Sequence, residues 1–534
     1  MVNFIKKSLI FFSVAILLVG CVSKNDTQID DAENDETTLI EKGEDGSIAE
    51  YRIPDASGNW GYPTPYGLIP RGPGFIRMSY VFDSLIWKDK DGNFIPALAD
   101  SWKYDEGENA YVFELNEAAK WHDGEFVTAE DVVFTVEYMR KNPLMWLDLK
   151  PIEEVIYVDE YTVKFKLKEK WAPFYANIAG SMPILPKHIY KDIEKPNQDL
   201  TEATAIGSGP FKLGSYNAEK GEYIFEAFED YYQGIPKVKK LKFFKMNSQV
   251  QPKAILNGEV DGIFTNGDAK VLFEGKNVET ISSIGMVTKL LFNHQKEPFD
   301  NKEFRHAIAY SIDTDKIVEI AHRGHAFKGY TGIISDQSQY FAEGAEQYDY
   351  SLEKSKEIMG KLGYEKSGDY YAKNGQELTI QILGNERVRR DVDLIVEQLN
   401  KAGIKTKAIY KDIQSADQML SNWDFDISIV ETGAIGDPIF LNRNTIGNGF
   451  SSDRYYESED MIDILNDQLN EVDLQKRANK LKDFQKLYAD ELPAYHLYYS
   501  EFVFAYNDKL ELYFTKGGVS IGIPLALNKM IFLK

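Results

Sequence analysis

Apolar and polar residues alternate along this chain with two different periods, and the shorter period predicts short strands. Residues 161–168 (YTVKFKLK) place valine, phenylalanine and leucine at every second position, with lysines between them. This is the pattern of a strand with one buried and one exposed face. Residues 424–429 (DFDISI) show the same alternation, and residues 404–410 (IKTKAIY) are also strand-like.

The longer, helical period predicts helices with defined ends. Apolar residues at 392, 395, 396 and 399 share one face of a helix, and Gly403 can adopt the left-handed conformation that ends it. A similar stripe within 352–362 stops at Gly363, and Asp313 stands where it can cap a helix start. Strands and helices in this mixture predict an α/β chain whose sheets are covered by helices.

The amino-terminal residues have the pattern of an export signal. Lys6 and Lys7 precede an apolar stretch, residues 9–19, which is too short to span a bilayer because a spanning helix needs about 20 apolar residues. The sequence LVGC at 18–21 resembles the lipobox of bacterial lipoproteins, in which the cysteine is lipidated and becomes the first residue. Cys21 is the only cysteine of the chain and can form no internal disulfide. We therefore expect a signal peptide over 1–20 and a lipid anchor at Cys21.

The acidic stretch that follows predicts a tether rather than a folded element. Residues 21–50 are rich in aspartate and glutamate and poor in aromatic residues, so they bury too little apolar surface to offset their ordering entropy. The folded body should begin near Tyr51. About 480 residues then remain, which is more than one hydrophobic core serves, and at least two lobes are expected.

The charge of the chain and its lack of reactive motifs exclude several function classes. A formal charge of −23 repels nucleic acid and anionic lipid headgroups, so neither is expected as a partner. The sequence contains no HExxH zinc motif, no GxSxG nucleophile elbow and no GxxxxGK[ST] phosphate loop. We expect no enzyme activity, no cofactor and no bound metal, although paired carboxylates leave a secreted hydrolase open as an alternative.

From residue 82 onward the sequence contains a series of short motifs. They are FDSLIW at 82–87, PALA at 96–99, KWHDG at 120–124, TAEDV at 128–132, GSGPF at 207–211, YYQG at 231–234, GEVD at 258–261, FRHAI at 304–308, LPAY at 492–495 and IFLK at 531–534. Together these motifs resemble one known family, the peptide/nickel-type (family 5) extracellular solute-binding proteins of ABC importers. Each motif is weak alone, but the series spans nearly all of the chain in the order that this family shows.

The resemblance implies a two-lobed periplasmic-binding-protein-like fold of class II, cluster C type, with an extra subdomain inserted in lobe one. On this chain lobe one is expected at 51–287 with 488–534, the insertion at about 88–178, and lobe two at 288–487. It also implies a function: capture of a solute in the cleft between the lobes and delivery to the permease subunits of an ABC importer. A monomer is expected, anchored on the extracytoplasmic face of the membrane, at the cell surface or in the periplasm.

The solute is less defined, since the family's ligand motifs are altered here. Peptide binders of the family carry a tryptophan and an aspartate in a stretch that reads VETGAIGDP at 430–438, where they are replaced by Glu431 and Ala434. The GAxxDP form resembles nickel-type members, and Trp146 falls where their chelate-stacking tryptophan lies. The arginine three positions earlier is Pro143 here. An oligopeptide, a dipeptide and a nickel or other metal chelate all remain open as the solute.

Eight residues are expected to line the cleft, with Glu431 or Asp83 replacing the missing charge for a ligand ammonium. An unpartnered buried ammonium is very costly, so one such carboxylate is needed. Asp437 has a second interpretation as a turn residue before a proline. A receptor lipoprotein that senses a peptide is the alternative to an importer subunit. The expected ligand-binding residues are Asp83, Trp146, Glu431, Thr432, Gly433, Ala434, Asp437 and Tyr498.

Overall fold

The computed structural model describes residues 46–533 and arranges them around two large apolar cores. The predicted signal peptide, Cys21 and nearly all of the predicted tether lie outside the described residues. The first strand begins at Tyr51, which is fully buried.

The first lobe contains the elements that pack on the first core. Ten strands among the described residues precede the large sheet: β1 (Tyr51–Asp55), β2 (Ile86–Lys88), β3 (Phe94–Pro96), β4 (Ala99–Asp105), β5 (Ala110–Leu115), β6 (Ile152–Asp159), β7 (Thr162–Leu167), β8 (Phe211–Asn217), β9 (Glu222–Ala227) and β10 (Lys240–Lys245). The next two strands, β11 (Gly262–Thr265) and β12 (Glu279–Phe292), are part of the large sheet. The helices over the same part of the chain are α1 (Gly72–Val81), α2 (Ala129–Lys141), α3 (Lys187–Tyr190), α4 (Gln251–Leu256) and α5 (Lys270–Phe273).

The second lobe follows β12. Its helices are α6 (Lys302–Tyr310), α7 (Thr314–Lys316), α8 (Leu352–Lys361), α9 (Arg389–Ala402), α10 (Ile413–Ser421), α11 (Ile439–Thr445), α12 (Glu459–Asn470) and α13 (Leu474–Glu491). Its strands are β13 (Ala326–Lys328), β14 (Glu365–Ser367), β15 (Tyr370–Lys373), β16 (Gln376–Glu377), β17 (Thr379–Gly384), β18 (Lys405–Tyr410), β19 (Ile427–Gly433) and β20 (Ala494–Tyr506).

Two four-stranded sheets build the first lobe. One has the order β1-β10-β9-β8, and the other, within the predicted insertion, has the order β4-β5-β7-β6. Strand β7 matches the predicted alternation, because Val163, Phe165 and Leu167 are buried and the lysines between them are not. The β2-β3 hairpin turns at Gly92, which has a φ of +83°, as its Asp-Gly sequence predicts.

A seven-stranded sheet forms the second lobe, with the order β11-β20-β12-β19-β17-β18 and β13 paired to β20. Helix α9 covers it and ends at Gly403, whose φ of +95° is left-handed, as predicted. Strands β17, β18 and β19 run parallel, so their carboxyl ends meet at one edge. Ligands of α/β proteins bind at such an edge.

Strands β12 and β20 belong to both lobes. The first lobe's core includes Phe504 and Tyr506, whereas the second lobe's core includes Leu290 and Tyr495. Each strand therefore passes from one core to the other, and the two pair with each other along most of their length. The lobe boundaries expected from the sequence stay a prediction, since β12 crosses the one at residue 287.

Candidate functional site

The two lobes contact each other at a small cavity of about 30 Å³. The hairpin β2-β3 contributes Lys88 and Phe94 from the first lobe, while Tyr340 and Asp437 come from the second. The backbone nitrogen of Ala172 also donates to the carbonyl of Leu469 at 2.7 Å, which joins the predicted insertion to α12. This seam is the candidate ligand cleft, because residues of both lobes line it.

Asp83 lies in the interior of the first lobe, away from the seam cavity. It is fully buried, and its carboxylate pairs with the ammonium of Lys529. The other carboxylate oxygen accepts hydrogen bonds from the hydroxyls of Tyr231 at 3.1 Å and Tyr232 at 2.7 Å. A carboxylate with three such partners is already satisfied and holds the fold together.

Asp437 lies at the seam and is also neutralised inside the protein. Its two oxygens accept from the two terminal nitrogens of Arg477, each at 2.7 Å. The same carboxylate accepts from the backbone nitrogen of Ile439 at 2.9 Å, at the start of α11. This bidentate pair fits the interpretation of Asp437 as a structural residue.

Glu431 differs from both aspartates because it is exposed and has no ion-pair partner among residues 46–533. It lies on β19 near the carboxyl edge of the sheet. In the strand register it stands opposite Thr288 of β12, and Thr288 stands opposite Tyr498 of β20. Directly paired residues of neighbouring strands share one face of a sheet, so the three side chains form a polar row.

Tyr498 ends this row beside a histidine–aspartate pair. Its ring centroid lies 4.1 Å from that of His322, whose Nε2 is 2.8 Å from an oxygen of Asp391. Burial, followed by the nearby carboxylate of Asp391, raises the pKa of the Tyr498 hydroxyl, and Glu431 acts in the same direction. Tyr498 therefore stays protonated and can donate a hydrogen bond.

Thr432, Gly433 and Ala434 follow Glu431 but carry no free side-chain charge. Thr432 is buried, and the amide of Asn444 donates to its hydroxyl at 3.3 Å and to the carbonyl of Gly433 at 2.8 Å. Ala434 packs in a small apolar cluster. Arg443 lies beside Gly433, since a Cβ atom placed there would be 3.6 Å from its guanidinium.

Trp146 lies in a different place from the other candidates. It lines a groove of about 680 Å³ formed by residues between 139 and 153 together with Lys168, all within the predicted insertion. Pro143 lines the same groove. The structure thus brings Glu431, Thr432, Gly433, Ala434 and Tyr498 together at one sheet edge, with Asp437 at the adjoining seam, but not Asp83 or Trp146.

Sequence reasoning missed Lys88, which lines the seam cavity. Its side chain is 9% exposed, and its Nζ donates to the carbonyl of Gly518 at 3.2 Å. The ammonium also lies 5.4 Å from the ring centroid of Phe94. Burial lowers the pKa of Lys88 to about 8, although Asp437 acts in the opposite direction. No local pattern marks this lysine, because its burial comes from the far end of the chain.

Between residues 46 and 533 no group of three or more histidine, cysteine, aspartate or glutamate side chains could hold a metal ion. None of the helices in this part of the chain has both the length and the apolar character that a bilayer crossing requires.

Comparison with known proteins decides the family. The profile described as "Bacterial extracellular solute-binding proteins, family 5 Middle" matches residues 93–451, about two thirds of the chain. The chain belongs to this family. It is a solute-binding protein of an ABC importer, as the sequence motifs indicate, and family 5 members bind their ligands rather than transform them.

Individual relatives support the same fold for this family 5 protein. The oligopeptide-binding protein AppA of Bacillus subtilis (strain 168) is 27% identical over 468 residues, which cover 82% of this chain and 83% of the relative. Its solved structure, in complex with a nonapeptide, superposes with a TM-score of 0.64 at 22% identity and covers 90% of this chain and 98% of that chain.

NikA from Brucella suis, solved in complex with Fe(III)-EDTA, has a TM-score of 0.73 at 20% identity and covers 86% of this chain and 95% of that one. These likenesses confirm the predicted two-lobed fold of periplasmic binding proteins. In such a fold a ligand closes the lobes only through its higher affinity for the closed form.

Proposed function

We propose that this family 5 protein captures short peptides outside the cytoplasm and delivers them to the permease of an ABC importer. The single observation that carries the choice of peptide is the unpaired carboxylate of Glu431 at the carboxyl edge of the second lobe's sheet. The Bacillus subtilis relative, named as oligopeptide-binding, supports the same ligand class. Binding without turnover is part of the proposal.

Two of the three candidate carboxylates already have a cationic partner inside the protein. Asp83 already pairs with Lys529, and Asp437 already pairs with Arg477. Glu431 has no such partner among the described residues and lies in a row with the hydroxyls of Thr288 and Tyr498. A peptide's α-ammonium needs a carboxylate and further acceptors when the cleft closes over it.

A metal chelate has less support from the geometry. Its stacking residue would be Trp146, which lies in a groove built by its own subdomain rather than at the seam. The position expected to hold an arginine for the chelate is Pro143, which carries no charge. The chelate therefore enters the experiment as the competing result.

The deciding experiment is mass spectrometry of the small molecules that co-purify with the protein under mild conditions. We expect a set of short peptides, and calorimetry with the most abundant one should give a 1:1 complex. Recovery of a nickel or iron chelate instead would refute the peptide assignment. Peptide uptake that is lost on deletion of the gene would separate import from sensing.

A glutamine at position 431 tests the assignment of the ammonium site. We expect Glu431→Gln to weaken binding of a peptide with a free amino terminus by roughly tenfold to a hundredfold, because a charge-assisted hydrogen bond is lost. Binding of the same peptide with an acetylated amino terminus should not change. Calorimetry measures both.

The matched control is Glu365→Gln, which removes the same charge from an exposed strand residue of the second lobe that has no ion pair among the described residues. It should bind both peptides like the wild type. Equal affinities of the Glu431 variant and the wild type for the free peptide would remove Glu431 from the site.

Membrane attachment through a lipid at Cys21 is a further part of the proposal, supported by the LVGC sequence at 18–21. Two acyl chains bound to the cysteine would make anchoring effectively stable, since each buried CH₂ contributes about 0.8 kcal/mol. We expect Cys21→Ser to move the protein from the membrane fraction to the soluble fraction. Wild-type protein that is soluble and has no lipid mass by mass spectrometry would contradict this.

A further inference from the structure

Three lysines among the described residues have buried side chains, and they differ in their partners. Lys289 and Lys529 are each 1% exposed and each contact a buried carboxylate, that of Asp453 and that of Asp83. Lys88 is 9% exposed and has no carboxylate within 4.0 Å among residues 46–533. Lysine is almost never buried without a partner, because desolvating an unpaired charge is costly.

The hydrogen bonds of Lys88 leave part of its ammonium unsatisfied. An ammonium has three N–H donors. The described residues provide one acceptor, the carbonyl of Gly518 at 3.2 Å, and one aromatic face, that of Phe94. The remaining donors have no acceptor between residues 46 and 533, and the side chain lines the seam cavity.

The charged neighbours of the cavity do not replace the missing partner. Asp437 is held by two hydrogen bonds from Arg477. Asp91 lies 3.7 Å from Lys516, and both of these side chains are exposed by half or more. The buried ammonium of Lys88 therefore has no carboxylate in direct contact among the residues that line the cavity, which favours an anionic group from outside the protein.

We infer that Lys88 binds the terminal carboxylate of the captured peptide. This inference rests on the proposed function and extends it, because it names the group that the first lobe recognises. The carboxylate would accept the hydrogen bonds that Gly518 and Phe94 leave unused. Glu431 of the second lobe would bind the ammonium, so the two lobes would recognise opposite charges of one zwitterionic ligand.

Recognition of this kind requires the closed form. Lys88 stands on the hairpin β2-β3 of the first lobe, whereas the other wall of its cavity, with Tyr340 and Asp437, belongs to the second. Closing the lobes removes water from the ammonium and strengthens its attraction for a carboxylate. A peptide with a carboxylate at this point thereby stabilises closure, and one without it does not.

The test compares two peptide libraries that differ only at the carboxyl terminus. One library holds tri- to nonapeptides with free terminal carboxylates, and the other holds the same sequences as terminal amides. Wild-type protein is mixed with both, retained peptides are identified by mass spectrometry, and calorimetry is then run with the best-retained acid and its amide. We expect the wild type to bind the acid at least about tenfold more tightly.

Lys88→Met keeps an unbranched side chain that is one heavy atom shorter and removes its charge. This variant should bind the acid and the amide with similar affinity, close to that of the wild type for the amide. Lys103→Met is the matched control, since Lys103 is an exposed residue of β4 with no ion pair among the described residues. It should keep the full preference for the acid.

Each other result overturns the inference in a distinct way. Equal affinity of the wild type for acid and amide would remove the carboxylate site but leave peptide capture intact. A Lys88→Met variant that keeps the preference would assign the site to another residue. Equal weakening of acid and amide in that variant would show a structural role only. Retention of neither library would refute both this inference and the proposed function.

Discussion

Charged side chains in the interior of this protein are neutralised at most positions. Asp83 with Lys529, Lys289 with Asp453, and Asp437 with Arg477 are three buried pairs. Removing one partner of such a pair costs about 3–5 kcal/mol, because it leaves the other charge unpaired. At the seam Lys88 has no such partner among the described residues, and the free-energy cost of burying its charge is present before any ligand binds.

The free energy of unfolding should depend on pH because the charge of Lys88 is buried. Burial lowers the pKa of Lys88 from the ordinary 10.5 to about 8, so the folded state disfavours the charged form. Below about pH 8 both the folded and unfolded states carry the proton, and the penalty is complete. Between about pH 8 and 10.5 only the unfolded state keeps the proton, so stability rises with pH relative to a protein without the lysine.

We therefore expect Lys88→Met to be more stable than the wild type at about pH 7, by on the order of 3 kcal/mol. The difference should shrink as the pH rises from about 8 to 10.5. Urea unfolding of both proteins at a series of pH values measures it, with Lys103→Met as the control for net charge. A difference that stays constant over this range would show that Lys88 is not desolvated in the folded protein.

Single elements show what the sequence could predict. Helix α9 and its end at Gly403 follow from apolar spacing and one glycine, because both signals are local. The alternation at 424–429 predicts a strand from residue 424, but β19 begins at Ile427. Before it, Trp423 has a left-handed φ of +59°, and the backbone nitrogen of Gln381 donates to the Asp426 carboxylate. A contact with residue 381 is not visible in a local pattern.

The candidate site shows the same limit more strongly. Glu431 could be chosen from the sequence because it falls in the stretch at 430–438 that resembles a ligand motif of the family. Asp83 falls on the FDSLIW motif and could not be separated from Glu431, since its partner Lys529 is 446 residues away. Lys88 carries no motif at all, and its burial depends on Gly518 and on a cavity wall from the second lobe. Sequence reasoning thus selected Glu431, the proposed ammonium site, but not Lys88.

At the scale of the whole molecule, two glycines allow the lobes to approach. Gly522 belongs to the carboxyl-terminal segment of the first lobe, and Gly436 follows β19 in the second. A Cβ atom at Gly522 would lie 2.2 Å from the carbonyl oxygen of Ile435, and one at Gly436 would lie 2.6 Å from that of Ile521. No side chain fits between backbones at these distances.

Gly522→Ala should therefore hold the lobes apart. Small-angle scattering of the wild type should show a smaller radius of gyration when peptide is added, because the lobes close over it. The variant should keep the larger radius and bind peptide at least about tenfold more weakly, since its closed form is less populated.

The matched control for this variant is Gly375→Ala. Gly375 also has a left-handed φ, of +78°, but a Cβ atom there would meet no atom within 4 Å. Both variants place a Cβ atom at a positive φ, +104° at Gly522 and +78° at Gly375, but only the first obstructs closure. Normal compaction of the Gly522 variant with peptide would show that this contact does not limit closure.

The return of the carboxyl terminus to the first lobe has a consequence for how the chain matures. Tyr80 donates its hydroxyl to the carbonyl of Leu527 at 2.9 Å, and Phe532 packs against the rings of Tyr51, Tyr80 and Phe211. The core around Tyr51 and Tyr80 is therefore incomplete until the last residues of the chain have been synthesised. During synthesis it remains an unfinished fold, which is the state in which a polypeptide can be threaded through a translocation channel.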